Sequence, residues 1–301
     1  MGRFCERGVV FVERIEDIPE GSIVVFSAHG VSPRVRDAAR DRRLHAIDAT
    51  CPLVTKVHAE AIRYARRGDQ ILLIGHADHQ EVIGTRGEAP GAIQVVQSPS
   101  DIASLRIDDP DKLVYLTQTT LSTDDAAEII DALVRVFPRI KSPPTEDICY
   151  ATTNRQHAVR LLAPEADLTL VVGSTNSSNS VRLTEISENA GTPARLIDDA
   201  DDIDFDWFSR RDGIVLVSAG ASAPEDLVAG VCRALLEQFG GSIEQREVFR
   251  EEVEFNLPAA LRREMIARGH EPEPARIGTP TISAELYGAV PMTISARNDR
   301  R

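Results

Sequence analysis

Two cysteines stand at matching places in this sequence. Cys51 lies in "DATCPLVTKVH" and Cys149 in "DICYATTNRQ". Each follows an acidic residue and leads into a stretch with helical spacing. A thiol there has three open readings: a buried core residue, a nucleophile, or a ligand to a soft metal centre. There are four cysteines, Cys5, Cys51, Cys149 and Cys232, and none forms a C-x-x-C pair. Zinc spacing is therefore missing. Cys232 falls four positions after Val228 on an amphipathic stretch and reads as core. Cys5 sits among charges and reads as incidental.

Three further stretches carry polar chemistry. "IGHADHQEVIGT" places His76, His79 and Glu81 directly after an apolar run. Two histidines and a carboxylate can bind metal, hold a phosphate or deliver a proton, and by residue type alone they equally suit a solvated loop. "GSTNSSNS" (173–180) offers hydroxyls, amides and helix-start N–H groups to an anion without any positive charge. Read only by composition, it is also an ordinary polar turn. "SAHGVSPRVR" adds His29, with Arg34 and Arg36 expected to lie solvated along the following helix.

The elements that must position these groups are legible as alternation. "GSIVVFSAHG", "DQILLIGH", "KLVYLTQTT", "DLTLVVGS" and "GIVLVSAG" are strand-length apolar runs. Stretches such as "DDAAEIIDALVRVF" and "PEDLVAGVCRALLEQF" have apolar residues at helical spacing. This predicts βαβ units around parallel sheets, where ligands collect at the carboxyl ends of strands.

Those strand ends repeat. The interval from Cys51 to Gly75 equals that from Cys149 to Gly173. "FSAHGVSP", "LTQTTLST" and "VSAGASAP" form a second matching set. The order along the chain is that of three copies of a two-part unit, the first lacking its cysteine half. The expected fold is therefore α/β, with three pseudo-repeated lobes around a central cavity and an incomplete first lobe. The expected boundaries are a first-lobe remnant at 1–50, a second lobe at 51–148 and a third at 149–265. Residues 266–301 are proline-rich and read as a loose tail. In this arrangement Cys51 and Cys149 approach a pseudo-threefold centre, which a third thiol from the absent half would complete. Three thiolates can hold a cubane iron–sulfur cluster and leave one iron open to substrate.

Composition narrows the function classes. The 301 residues carry a formal net charge of −13, which disfavours nucleic acid and anionic membranes as partners. No run approaches the ~18 apolar residues of a membrane span, and the start "MGRFCERGVVFVERIED" lacks a signal-peptide layout. The expected location is the cytoplasm.

Taken together and in order from about residue 8 to about 260, "FSAHGVS", "DATCPLVTKVH", "TQTTLS", "DICYATTNRQ", "GSTNSSNS" and "AGASAP" resemble the 4-hydroxy-3-methylbut-2-enyl diphosphate reductase family, LytB/IspH. The resemblance implies three α/β lobes around a 4Fe-4S cluster. It implies the final step of the methylerythritol phosphate route to isoprenoids, with ferredoxin or flavodoxin as electron donor. It makes Cys51 and Cys149 two of three cluster ligands. His29, His79, Ser177, Ser178, Asn179 and Ser222 become diphosphate contacts. Glu81 enters the proton relay, and Thr119 supports the substrate hydroxyl. His76 lies beside the matching histidine without being it, and Gln80 stands where the family has proline. The family begins with a strand ending in a further cluster cysteine, then another histidine. This sequence starts after both, and a clipped start is the expectation. Two rival readings are a non-catalytic diphosphate-binding homologue without a cluster, and a thiol hydrolase pairing Cys51 with His58.

Overall fold

The computed structural model of the chain describes residues 2–208, 213–249, 252–272, 275–278, 287 and 292–296. The chain divides into two compact units. One comprises Met1–Gln118, Ala127–Asp147 and Phe255–Ala275, and the other Thr119–Ala126, Ile148–Glu254 and Arg276–Arg301.

The first unit opens with a short helix α1 (Gly2–Glu6), followed by strand β1 (Ile23–Phe26), helix α2 (Pro33–Asp41) and strand β2 (His45–Asp48), which pairs in parallel with β1. Next come α3 (Pro52–Arg66), β3 (Gln70–Ile74), α4 (Gln80–Glu88), β4 (Ile93–Val96) and β5 (Leu113–Thr117). These three strands form a parallel sheet in the order β4-β3-β5. The unbroken apolar run of β3 is explained by its place in that sheet: covered on both faces, Ile71, Leu72, Leu73 and Ile74 are all 1% exposed or less. Helix α3 starts at Pro52, where proline's missing N–H costs nothing. It sends Val54, Val57, His58, Ala61 and Tyr64 into the core at helical spacing.

The strands and helices recur in the same order in the second unit. After α5 (Thr123–Val136), whose first turn belongs to the second unit, come α6 (Tyr150–Leu162), β6 (Leu168–Val172), α7 (Ser178–Asn189), β7 (Ala194–Ile197), β8 (Val215–Ala219), α8 (Glu225–Phe239) and β9 (Ile243–Glu247). The parallel sheet runs β7-β6-β8, and β6 is buried along its whole length, as β3 is along nearly all of its own. The α/β architecture expected from alternation is present. Among the described residues, β1 has β2 as its one neighbour, and its Ile23 and Val25 are 68% and 61% exposed.

The remaining elements are β10 (Glu252–Phe255), α9 (Ala259–Ala267), β11 (Ala275–Gly278) and β12 (Met292–Ala296). The loose tail expected from residue 266 needs correction here, because β12 pairs in parallel with β9 along its full length. "MTISA" is too short for its alternation to stand out from proline-rich surroundings. Most of the rest of that tail, including 279–286 and 297–301, lies outside the described residues.

Candidate functional site

In the first unit, three expected residues converge at strand ends. The chain leaves β1 through a turn in which the Gly30 N–H donates to the Ser27 carbonyl at 3.1 Å. Gly30 has φ +78°, and a Cβ there would lie 2.9 Å from the His58 ring. Glycine is therefore required twice over, by backbone sign and by space. The turn presents His29, whose ring meets the ring of His79 edge-on at 5.2 Å. His79 is the N-cap of α4, and its Nδ1 accepts the Glu81 N–H at 3.2 Å. That acceptor role places the proton of the neutral ring on Nε2, leaving Nε2–H as a donor for an anion. Burial lowers the pKa of both histidines. His79 reaches about 4 because the neighbouring His29 and His76 add to the burial effect. Glu81, 1% exposed, sits on the same first turn. His76 is exposed, and its backbone N–H donates to Gln118 Oε1.

Cys51 is the N-cap of α3, and its N–H donates to the Ala28 carbonyl at 2.9 Å, the residue before His29. The second unit repeats this bond. Cys149 is the N-cap of α6, and its N–H donates to the Thr119 carbonyl at 2.9 Å. In each case the acceptor lies two residues beyond a strand end, Phe26 or Thr117. Neither cysteine is in a disulfide, and both are half-buried.

The Ser/Asn loop of the second unit is built around one tight junction. Ser177 caps α7, its Oγ accepting the Ser180 N–H at 3.3 Å, and Ser178 Oγ lies 3.2 Å from Thr120 Oγ1. Asn179 is buried, and its Oδ1 accepts the Ala221 N–H at 2.9 Å, beside the exposed Ser222. Ser180 fills the space over two strand-end glycines. A Cβ would come 2.2 Å from its Oγ at Gly173 and 2.1 Å at Gly220. Thr119 is buried at the end of β5.

The structure thus groups His29, His79, Glu81 and Cys51 in one unit. It groups Thr119, Cys149, Ser177, Ser178, Asn179 and Ser222 in the other. One expectation needs correction, and one rival reading finds no support. Arg36 is not solvated: it donates to the Val31 carbonyl at 2.8 Å and to Glu88 at 2.5 Å, while Arg34 is exposed as expected. His58 forms no dyad with Cys51. Its Nδ1 faces Glu88 at 3.2 Å, and its buried Nε2 has no hydrogen-bond partner. Cys232 fits its expected core place, half-buried with burial pushing its thiol up to about 11. Sequence reasoning missed Thr152, Ser180 and the Lys56–Asp147 pair. Thr152 and Ser180 stand inside quoted motifs, but only contacts reveal their roles.

A family model described as LytB protein matches residues 1–236. The chain is 53% identical over 259 residues to the 4-hydroxy-3-methylbut-2-enyl diphosphate reductase of Rhodopirellula baltica, covering 86% of this chain and 81% of that one. It is 52% identical over 266 residues to the enzyme of the same name from Acidothermus cellulolyticus, covering 87% and 77%. Among solved structures it is similar to the E-1-hydroxy-2-methyl-but-2-enyl-4-diphosphate reductase from Plasmodium falciparum. The TM-score is 0.84 at 36% identity, covering 89% of this chain and 85% of that one.

Proposed function

The chain belongs to the LytB protein family, and from that premise we propose that it reduces 4-hydroxy-3-methylbut-2-enyl diphosphate to isopentenyl and dimethylallyl diphosphates, the last step of the methylerythritol phosphate route. Two electrons and two protons enter, the allylic C–O bond breaks, and water leaves. The observation that carries this reading is the repeated strand-end bond. It ties Cys51 to the turn bearing His29, and Cys149 to Thr119.

Each thiol caps a helix and is a soft ligand of the type an iron–sulfur centre takes, which supports this reading. Cys51 and Cys149 would be two ligands of a 4Fe-4S cluster, which supplies the electrons and a Lewis-acidic iron for the substrate hydroxyl. The protein's own groups do the rest. His29 and His79, neutral before substrate arrives, donate N–H groups to the diphosphate. Ser177, Ser178, Asn179 and Ser222 add hydroxyl, amide and helix-start donors. Binding at that end positions the hydroxyl at the other, with Thr119 supporting it. Glu81 passes a proton to the departing oxygen, because hydroxide leaves poorly and water leaves well. Ferredoxin or flavodoxin supplies electrons singly. The cytoplasm is the proposed location, and no helix among the described residues is long and apolar enough to cross a membrane.

The test is anaerobic reconstitution with iron and sulfide. A brown protein that converts the substrate under a low-potential reductant is expected, and Glu81→Gln should keep diphosphate binding while losing most turnover. A colourless protein with tight diphosphate affinity would make this chain a non-catalytic binder.

A further inference from the structure

One hydroxyl in the second unit touches both kinds of proposed site residue. Thr152, on the first turn of α6, is fully buried. Its backbone N–H donates to Cys149 Sγ at 3.3 Å, and its Oγ1 lies 3.1 Å from the same sulfur. That Oγ1 also accepts from Asn179 Nδ2 at 3.4 Å. The orientation of the Asn179 amide is set by chemistry. Its other end meets the Ala221 N–H, which can only donate, so the oxygen must face Ala221 and the NH2 must face Thr152. The NH2 group has two protons. One is committed to Thr152, and the second remains for an anion.

We propose that Thr152 is a positioning residue that donates a hydrogen bond to the ligated Cys149 sulfur and holds Asn179 in register with it. The proposal rests on the reading of Cys149 as cluster ligand and Asn179 as diphosphate contact. In the thiol form, S–H donates to Oγ1. A metal-bound cysteine has lost that proton. With one Oγ1 lone pair filled by Asn179, the Thr152 O–H turns onto the sulfur. Such a bond stabilises the extra negative charge of the reduced cluster and raises its potential. The repeat supplies an internal control. The position three after Cys51 is Val54, buried to 3% exposure without a hydroxyl. A threonine here is therefore not what the helix start demands for packing, and valine fits the corresponding site.

Thr152→Val and Thr152→Ser test this in the full chain. Spectroelectrochemical titration of the reconstituted protein reads the potential, and calorimetry with inorganic diphosphate on the cluster-free protein reads the loop. Thr152→Val should move the potential to more negative values and weaken diphosphate binding about threefold to tenfold, the worth of one net hydrogen bond. Thr152→Ser should restore both. If wild-type protein takes up cluster and binds diphosphate but Thr152→Val matches it in both readouts, the role of Thr152 is overturned. A shift that serine does not recover overturns the hydroxyl's part. A wild-type chain that takes up no cluster and binds no diphosphate overturns the functional reading, and this proposal with it.

Discussion

His79, proposed above as a diphosphate contact, has its pKa lowered to about 4 by burial first, then by His29 and His76 beside it. A bound diphosphate would reverse those influences, because two negative charges offset both desolvation and histidine–histidine repulsion. The pKa of His79 should therefore rise on binding, and the complex should take up protons. The sign follows: affinity strengthens as pH falls toward the free-state value and levels off below it. Calorimetry at pH 6 in buffers of different ionisation enthalpy should show proton uptake that shrinks in His79→Asn. Equal uptake in the two proteins would remove His79 from the binding step. Glu81 shares this helix start, so the proposed diphosphate contact and the proposed proton source are placed by a single cap.

At the scale of elements, α7 is seated by the close approach of Ser180 to two strand ends. The geometry separates two otherwise similar substitutions. With alanine at 180, the nearest atom to a Cβ at position 220 is the Ser180 Cβ position, at 3.4 Å, an ordinary contact. For position 173 the same distance is 2.7 Å, which no side chain tolerates. Gly220→Ala should cost about 1–3 kcal/mol by overpacking and displace the Ser/Asn loop. Adding Ser180→Ala should restore stability to Gly220→Ala but not to Gly173→Ala. Urea midpoints of the two single and two double variants check this, and equal rescue of both would refute the wedge.

At the scale of the whole molecule, the charge of −13 means that the proposed diphosphate substrate would have to be held by local donors and not by a general field. One partly buried pair links distant segments of the first unit. Lys56 Nζ meets Asp147 Oδ1 at 2.9 Å and also donates to the carbonyls of Thr145 and Glu146, while Asp147 Oδ2 accepts the Thr117 N–H at 3.0 Å. Helix α3 is thereby tied to the end of β5 and to the segment two residues before Cys149. Burial pushes the Asp147 carboxyl up, against the pull of Lys56 and the Thr117 N–H. Lys56→Met strands that carboxylate and should destabilise by about 3 kcal/mol at neutral pH. Because the stranded group can take a proton in acid, the loss should shrink at pH 5. Asp147→Asn in the same background should recover part of it. A loss independent of pH would show that the charge of Asp147 is not the cause.

The α/β class, the repeated strand ends and the placing of both cysteines at helix starts were determined by the sequence alone. Apolar periodicity, helix-start residues and equal spacing are local properties, and a single strand of text records them. The same text left Arg36 in solvent, left the tail from 266 without its strand, and passed over Thr152 and Ser180. Those assignments depend on partners up to 91 residues apart and on which way an amide or hydroxyl turns, as with Lys56 and Asp147. Only folding brings such atoms within hydrogen-bond range, where directional contacts select one arrangement from many that the residue types permit.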